Sequence, residues 1–242
     1  MKKIEIISHI YGVELPLYVG AFQYHLSSLI LHRPKCSVTM TVCYCPADKL
    51  VCELLEWFSN VDRQGADLKM KYIPEETPLV LGRRCIGRNK MAKQTEADVV
   101  WFADGDFCFG DGCLDTLACM SWPEDATLVF PREYWIHKEH AVGDRITRNL
   151  KPGLVDVDPE DFIKIGHSVA IGGIQIVTGD FCREHGYLDK QDKWMQPHTK
   201  PFKDTLDDKA FRKYCGKITG QQAKKIDLPN LFRIRQSVNA RG

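Results

Sequence analysis

The chain has no run of apolar residues approaching the roughly 20 needed to cross a bilayer as a helix, so the sequence predicts no membrane span. It has no Asn-x-Ser/Thr sequon, and its ten cysteines include no Cys-x-x-Cys pair. A zinc-ribbon reading is thereby disfavoured. Gly-x-Ser-x-Gly, His-Glu-x-x-His and Walker A motifs are absent too, which disfavours serine hydrolases, zinc proteases and P-loop enzymes. The N-terminal Met1-Lys2-Lys3 passes straight into strand-like alternation with no small-residue cleavage site. Several cysteines sit inside apolar runs, where a thiol packs as a small hydrophobe. The expectation is a reduced, soluble, cytoplasmic protein.

What is present is an ordinary globular composition. Apolar residues make up 44% and charged residues 27%, close to the averages of roughly 45–50% and 25%. At 242 residues one domain can bury a continuous core. The net charge of +1 hides an asymmetry: twelve Lys or Arg stand against four Asp from Lys193 onward, a local +8, while residues 1–192 carry −7. The C-terminal fifth is suited to an anion.

Hydrophobic periodicity predicts alternating strands and helices: a strand at Ile4–Ser8, a helix over Val13–Leu31 with Leu17 on its apolar side, and a strand at Ser37–Cys45. Asp48 is placed to cap a helix over Lys49–Phe58. A strand at Leu68–Ile73, a helix at Arg88–Glu96 and a wholly apolar strand at Ala97–Ala103 follow, the last of the kind buried on both faces of a parallel sheet. This order implies an α/β sandwich with a mostly parallel central sheet. Further on, the pattern predicts a helix at Asp111–Met120, a strand at Ala126–Pro131, an irregular stretch over Glu133–Asp161, a strand at Ser168–Val177, a helix at Asp207–Tyr214 and a basic strand or tail at Asn230–Val238. No repeat or linker divides the chain, so residues 1–242 read as one domain.

The strongest chemical signal is the apolar strand ending in Asp104-Gly105-Asp106. In open α/β sheets ligands bind beyond the carboxyl ends of the strands. Two carboxylates there repel each other unless a cation lies between them, and hard oxygen ligands suit Mg²⁺ or Mn²⁺. Asp104 and Asp106 are therefore the candidate metal ligands.

Upstream lie Arg83, Arg84 and Arg88-Asn89; downstream come Gly172-Gly173 before an apolar strand, then His185-Gly186-Tyr187-Leu188-Asp189, then Asp207-Asp208-Lys209-Ala210-Phe211-Arg212. In this order and spacing the chain resembles the family 2-like glycosyltransferases of the GT-A fold, over roughly Lys2 to Gly242. The resemblance implies a GT-A (Rossmann-like) fold, a nucleotide-sugar donor, a D-x-D metal site and a catalytic base in the acidic pair before Phe-Arg, usually its second member. It also implies that residues 1–106 form a nucleotide-binding half, and residues 107–242 an acceptor-binding half with the basic segment. The chain departs from the family at three places. Ser8-His9-Ile10-Tyr11-Gly12 replaces a Pro-Thr-Tyr-Asn-like turn, and Cys45-Pro46-Ala47-Asp48 replaces Asp-Asp-Gly-Ser; these elements, with His9, Tyr11 and Asp48, are implied to touch the nucleotide. Arg233-Ile234-Arg235-Gln236-Ser237 stands where some relatives have Arg-x-Arg-His-Ser, which puts Gln236 at the position of a third metal ligand.

The residue types support the same chemistry independently. A departing nucleoside diphosphate needs a divalent cation and basic side chains, and Arg84, Arg88, Arg233 and Arg235 are candidates to meet phosphate with paired donors. The acceptor hydroxyl must lose a proton as it attacks the anomeric carbon, which Asp207 or Asp208 can take; the other of the two is placed to cap the helix. Gly172 and Gly173 permit close approach to the donor sugar, and Trp194 offers a ring to stack on a sugar face. His9, His167 and His198 are imidazoles able to take Mn²⁺. The acceptor is expected to be a saccharide or a modified base in viral DNA. The rival readings are a sugar-phosphate nucleotidyltransferase, which would want a Gly-rich basic loop where Ser8–Leu15 has only Gly12, and a non-catalytic module that holds a nucleotide or polyanion through its basic tail.

Overall fold

The computed structural model describes residues 1–13, 15–63, 65–75, 77–138, 151–199 and 206–234. β1 (Ile4–His9), buried throughout, leads into α1 (Pro16–Leu31). Pro16 takes the first helical turn, where its fixed φ fits and its missing N–H costs nothing. The helix therefore begins later than Val13, and Val13 and Leu17 are exposed. β2 (Val38–Tyr44), α2 (Lys49–Asn60) and β3 (Leu68–Pro74) repeat the unit. Asp48 caps α2 by accepting from the Val51 amide at 3.2 Å. α3 (Pro78–Gly82) and α4 (Arg84–Gln94) precede β4 (Val99–Phe102). β5 (Phe107–Phe109), α5 (Cys113–Cys119), β6 (Leu128–Pro131), β7 (Glu133–His137), β8 (Phe162–Gly166) and β9 (Gln175–Thr178) follow. α6 (Gly179–His185), α7 (Asp207–Thr219), β10 (Lys224–Ile226) and β11 (Leu231–Arg233) complete the described elements.

The central sheet has seven strands in the order β10-β6-β9-β4-β1-β2-β3. Its pairings are parallel except that β9 runs antiparallel to both neighbours. β6, β9 and β10, all from beyond residue 106, complete the sheet that the first hundred residues begin. A second sheet, β5-β11-β7-β8, joins strands from the middle of the chain to β11. Ile6, Trp101 and Phe102 are fully buried, as expected for strands covered on both faces. All ten cysteines are free thiols. No helix among the described residues is long and apolar enough to cross a membrane.

Three expectations change. Part of the stretch read as irregular forms β7. The strand expected over Ser168–Val177 is confined to Gln175–Thr178, because Gly172–Ile174 winds into a 3₁₀ turn; a glycine pair has no side chains to pack on a pleated surface. α6 was absent from the periodic reading because it is short and opens on glycine. That glycine is required: a Cβ on Gly179 would lie 1.8 Å from the Ala97 carbonyl oxygen.

Candidate active site

β1 and β4 run parallel with Ile7 opposite Phe102, so the residues that follow both strands emerge together at the carboxyl edge. The Ser8 hydroxyl donates to the Ala103 carbonyl at 3.0 Å and ties the two exits. The Asp104-Gly105-Asp106 loop then crosses the N-terminal part of α1. The Gly105 amide donates to the Tyr18 hydroxyl at 2.6 Å, and a Cβ on Gly105 would lie 2.1 Å from Phe22 Cδ2. The glycine between the carboxylates is thus a packing requirement as well as a turn residue.

Each carboxylate meets arginine. Asp104 Oδ1 accepts from Arg84 Nη1 at 2.8 Å and from Arg88 Nη2 at 3.2 Å. Asp106 Oδ2 accepts from Arg233 Nε at 3.1 Å, and Arg233 Nη1 lies 3.4 Å from the Tyr134 hydroxyl, to which it donates. Burial opposes the charge on both aspartates, with different outcomes. At Asp104 the guanidiniums of Arg84, Arg88 and Arg233 outweigh burial and hold the carboxyl below its ordinary range. At Asp106 burial, reinforced by the Asp104 charge and only partly offset by Arg233, pushes it up. Positive charge is therefore in short supply beside Asp106, and the donors are hard oxygens; this suits a divalent cation. Among the described residues no group of three or more His, Cys, Asp or Glu side chains is placed to hold a metal. Asp104 and Asp106 have no third His, Cys, Asp or Glu side chain beside them among the described residues. Gln236 and Arg235 lie outside the described residues.

Asp207 and Asp208 separate sharply. Asp207 is fully buried, its Oδ1 accepting from Arg84 Nη2 at 3.3 Å and its Oδ2 lying 3.8 Å from Arg88 Nη1. Asp208 is half-buried. A Cβ on Gly172 would sit 3.5 Å from Asp208 Cβ and 3.6 Å from Asp104 Oδ2, so Gly172 occupies the ground between those two side chains. Neither aspartate caps α7, contrary to the expectation: the N-cap is Leu206, with no side-chain cap bond. A buried ion pair claims Asp207 instead.

Arg88 has no exposed side-chain surface. Its Nη1 donates to the Tyr187 hydroxyl at 3.1 Å, and that hydroxyl donates to Gln175 Oε1 at 3.3 Å. Gln175 Nε2 donates to the Asp208 carbonyl at 2.8 Å. This chain of contacts runs behind the carboxylates and links α4, β9 and α7. Asn89 closes it, accepting from the Tyr187 amide and donating to Asp189 Oδ1, both at 2.9 Å. Gly186, at φ +61°, has no room for a Cβ, which would lie 2.1 Å from Asn89 Oδ1. The helix expected to open at Arg88 begins at Arg84 instead, so the Arg88-Asn89 pair sits within α4, and with the Gly-Tyr-Leu-Asp turn it makes two halves of one latch. Arg88 stands behind Asp104, whereas Arg84 and Arg233 are partly exposed, at 24% and 22% of their side chains.

The other expected residues fall as follows. Gly173 packs against Asp104, a Cβ there lying 3.0 Å from Asp104 Oδ2 and 2.5 Å from Phe107 Cε2. His9 is buried at the end of β1, its two ring nitrogens without a hydrogen-bond partner among the described residues. Burial, then Arg88 and Arg84, holds its pKa well below the ordinary value. Tyr11 is buried and stacks on Tyr18 at 6.3 Å. Asp48 Oδ2 accepts from the Gly12 and Val13 amides at 2.6 and 2.9 Å and so fastens the loop after β1. Trp194 lies half-buried on the far side of Arg83, whose guanidinium carbon is 5.1 Å from the ring centroid. His167 stacks on Tyr134 at 4.6 Å, and the His198 amide donates to the Leu79 carbonyl, away from the carboxylates. Tyr18, Gln175, Tyr187, Tyr134 and Gly87 were not singled out as site residues by their sequence context. Gly87 shows why: its Cβ would meet His9 Nε2 at 2.5 Å, a contact across 78 residues that no local pattern reveals.

No protein-family model matches the sequence, and no curated protein matches it. Solved structures do match. A mannosyltransferase from Pyrobaculum calidifontis, in complex with GDP-Man and Mn²⁺, aligns over 96% of this chain and 56% of its own at 10% identity and a TM-score of 0.53. S. aureus TarS 1–349 aligns over 96% and 60% at 15% identity and 0.52. Galactosyltransferase LgtC, in complex with donor and acceptor sugar analogues, aligns over 91% and 72% at 14% identity and 0.50. The chain spans less than two thirds of the length of the first two structures. With these likenesses and a mostly parallel seven-stranded central sheet, the chain has the GT-A glycosyltransferase fold.

Proposed function

We propose that the protein is a metal-dependent, inverting glycosyltransferase that moves a sugar from a nucleoside-diphosphate sugar to an acceptor hydroxyl. One observation carries this reading: at the carboxyl edge of a GT-A sheet, Asp104 and Asp208 face each other across Gly172, with Arg84 and Arg233 on the Asp104 side. The edge holds both requirements of the reaction, a cationic place for the leaving diphosphate and a carboxylate for the incoming hydroxyl.

Asp104 and Asp106 would hold Mn²⁺ or Mg²⁺ together with phosphate oxygens of the donor. A cation bound there supplies positive charge to the leaving diphosphate. Arg84 and Arg233 are the partly exposed guanidiniums able to turn toward phosphate, while Arg88 keeps Asp104 ionised from behind. Gly172 and Gly173 leave room for the sugar against Asp104. The acceptor oxygen attacks the anomeric carbon, the bond from that carbon to the diphosphate breaks with its electrons passing to phosphate, and Asp208 takes the hydroxyl proton. Asp207, committed to Arg84 and Arg88, is a positioning residue. Residues 1–106 serve the nucleotide, and residues 107–242 the acceptor, which we take to be a saccharide. The ten free thiols support a cytoplasmic setting.

A panel of nucleotide-sugars with Mn²⁺, read by thermal melting, tests the reading, because a ligand that binds only the native state raises stability by RT ln(1 + [L]/Kd). Stabilisation by one nucleotide series, abolished by EDTA, is expected. No response to any member sinks it.

A further inference from the structure

Three carboxylates at the sheet edge face three guanidiniums: Asp104 meets Arg84 and Arg88, Asp207 meets the same pair, and Asp106 meets Arg233. The three arginines are not held alike. Arg88 has no exposed side-chain surface, donates to the Tyr187 hydroxyl and lies 5.3 Å from the centre of that ring, so it is fixed in place. Arg84 spans two carboxylates, with Nη1 on Asp104 at 2.8 Å and Nη2 on Asp207 at 3.3 Å. Arg233 has the loosest hold: Nε reaches Asp106 at 3.1 Å, and Nη1 makes only a long contact of 3.4 Å to the Tyr134 hydroxyl.

The backbone beneath Arg233 is nonetheless anchored. Arg233 pairs with Phe107 on β5 and with Ile136 on β7, and the next amide, that of Ile234, donates to the Asp106 carbonyl at 2.8 Å. The guanidinium carbon of Arg233 lies 5.2 Å from the Phe107 ring centroid, and a ring face supports the planar group as it slides. A swing of this side chain therefore needs no movement of the sheet.

Arg233 takes Asp106 Oδ2, an oxygen of the same carboxylate that holds the divalent cation in the glycosyl-transfer reading. A guanidinium and a metal ion beside one carboxylate repel each other. A diphosphate changes the balance, because its oxygens accept the paired donors of a guanidinium that has left Asp106. We propose that Arg233 is a stand-in cation, which holds Asp106 until a diphosphate receives it, so that metal and donor bind together and neither binds well alone. Arg84 contributes less, since Asp207 retains half of its fork. The proposal rests on the reading of Asp104 and Asp106 as metal ligands and of the donor as a nucleoside-diphosphate sugar. Coupling of this kind is reciprocal: the factor by which the diphosphate raises metal affinity is the factor by which the metal raises diphosphate affinity.

The test measures Mn²⁺ binding to the full chain from the free-ion EPR signal, alone and with GDP or UDP, against the same nucleotide without protein; calorimetry in EDTA gives the affinity for nucleotide alone. Arg233→Gln should bind Mn²⁺ alone about tenfold tighter than wild type, because a neighbouring positive charge is gone, and should bind nucleotide in EDTA more weakly. Arg233→Lys, which keeps the charge, should keep the wild-type Mn²⁺ affinity. The proposal is overturned if Arg233→Gln binds Mn²⁺ alone no better than wild type, or if Arg233→Lys gains as much as Arg233→Gln. Should Arg233→Gln fail to fold by thermal melting, the wild-type chain decides: its Arg233 Nε–H NMR signal should stay in place with Mg²⁺ alone and move with Mg²⁺ plus nucleotide, and movement with Mg²⁺ alone overturns the proposal. Sugar transfer with an unchanged Mn²⁺ affinity in Arg233→Gln would remove the stand-in role and leave the glycosyltransferase reading. Binding of neither nucleotide, with or without Mn²⁺, alongside tighter Mn²⁺ binding in Arg233→Gln, would remove the donor reading and the diphosphate half of the proposal, leaving Arg233 as a competitor of the cation alone.

Discussion

Two adjacent aspartates to which the proposed mechanism gives opposite duties allow a sharp test. Asp207 has no exposed side-chain surface and faces the guanidiniums of Arg84 and Arg88, of which Arg88 is fully buried. Removing one partner of a buried ion pair costs about 3–5 kcal/mol, because a charge is left behind. In Asp207→Asn the amide retains an oxygen for Arg84, and Asp104 still faces both guanidiniums, so the low end applies: about 3 kcal/mol. For a chain of this size each kcal/mol lowers Tm by roughly 2–4 °C, which gives a fall of about 6–12 °C. Asp208 is half-buried, and Asp208→Asn should stay within about 1 kcal/mol of wild type, the size of a lost helix-dipole interaction. Its kcat should instead drop by about 10²–10⁴ with donor affinity almost unaltered. Guanidinium denaturation followed by tryptophan fluorescence measures the first effect, and acceptor-dependent release of nucleoside diphosphate the second. If Asp207→Asn is as stable as wild type, the buried network does not hold the site as described; if Asp208→Asn keeps its kcat, Asp208 is not the base.

Asp106→Asn should have a pH signature: because the folded protein binds the Asp106 proton more tightly than the unfolded chain does, wild type loses stability relative to the variant as pH rises through that raised pKa, and parallel denaturation curves from pH 4 to 8 would show a widening gap in favour of the variant. Asp104→Asn should differ in sign, destabilising at neutral pH because that carboxyl is held ionised by arginine. Gly105→Ala should lower stability by about 1–3 kcal/mol or more, from overpacking against Phe22, and thermal melting checks it. Arg233→Ala combined with Arg235→Ala should weaken nucleoside-diphosphate binding tenfold or more, on the order of 1.5–3 kcal/mol for a charged hydrogen bond, by calorimetry; unchanged affinity removes both from the donor site.

The alternating βα order, the sheet class and the position of Asp104-Gly105-Asp106 at a strand end were legible, because they depend on short-range periodicity and on where apolar runs stop. Motif order also brought together Arg88-Asn89, Gly172-Gly173 and Asp207-Asp208, which the fold gathers at one edge. What each residue does there was not legible. Burial of Arg88 depends on Tyr187, 99 residues away, and the choice between Asp207 and Asp208 depends on which helical face meets Arg84. Expecting one of them as a cap failed because Asp207 is taken up by the guanidiniums of Arg84 and the buried Arg88. Single glycines were equally silent: Gly87 and Gly179 owe their identity to His9 and Ala97, contacts made only in the folded sheet.

The most direct measurement is product release: purified protein is incubated with each of a set of nucleoside-diphosphate sugars, Mn²⁺ and oligosaccharide acceptors, and free nucleoside diphosphate is quantified against time. The account predicts release from one donor class that is stimulated by acceptor, stops on chelation, and is lost in Asp104→Asn and Asp208→Asn. Absence of release from every donor, or equal release by the Asp208→Asn protein, would contradict it.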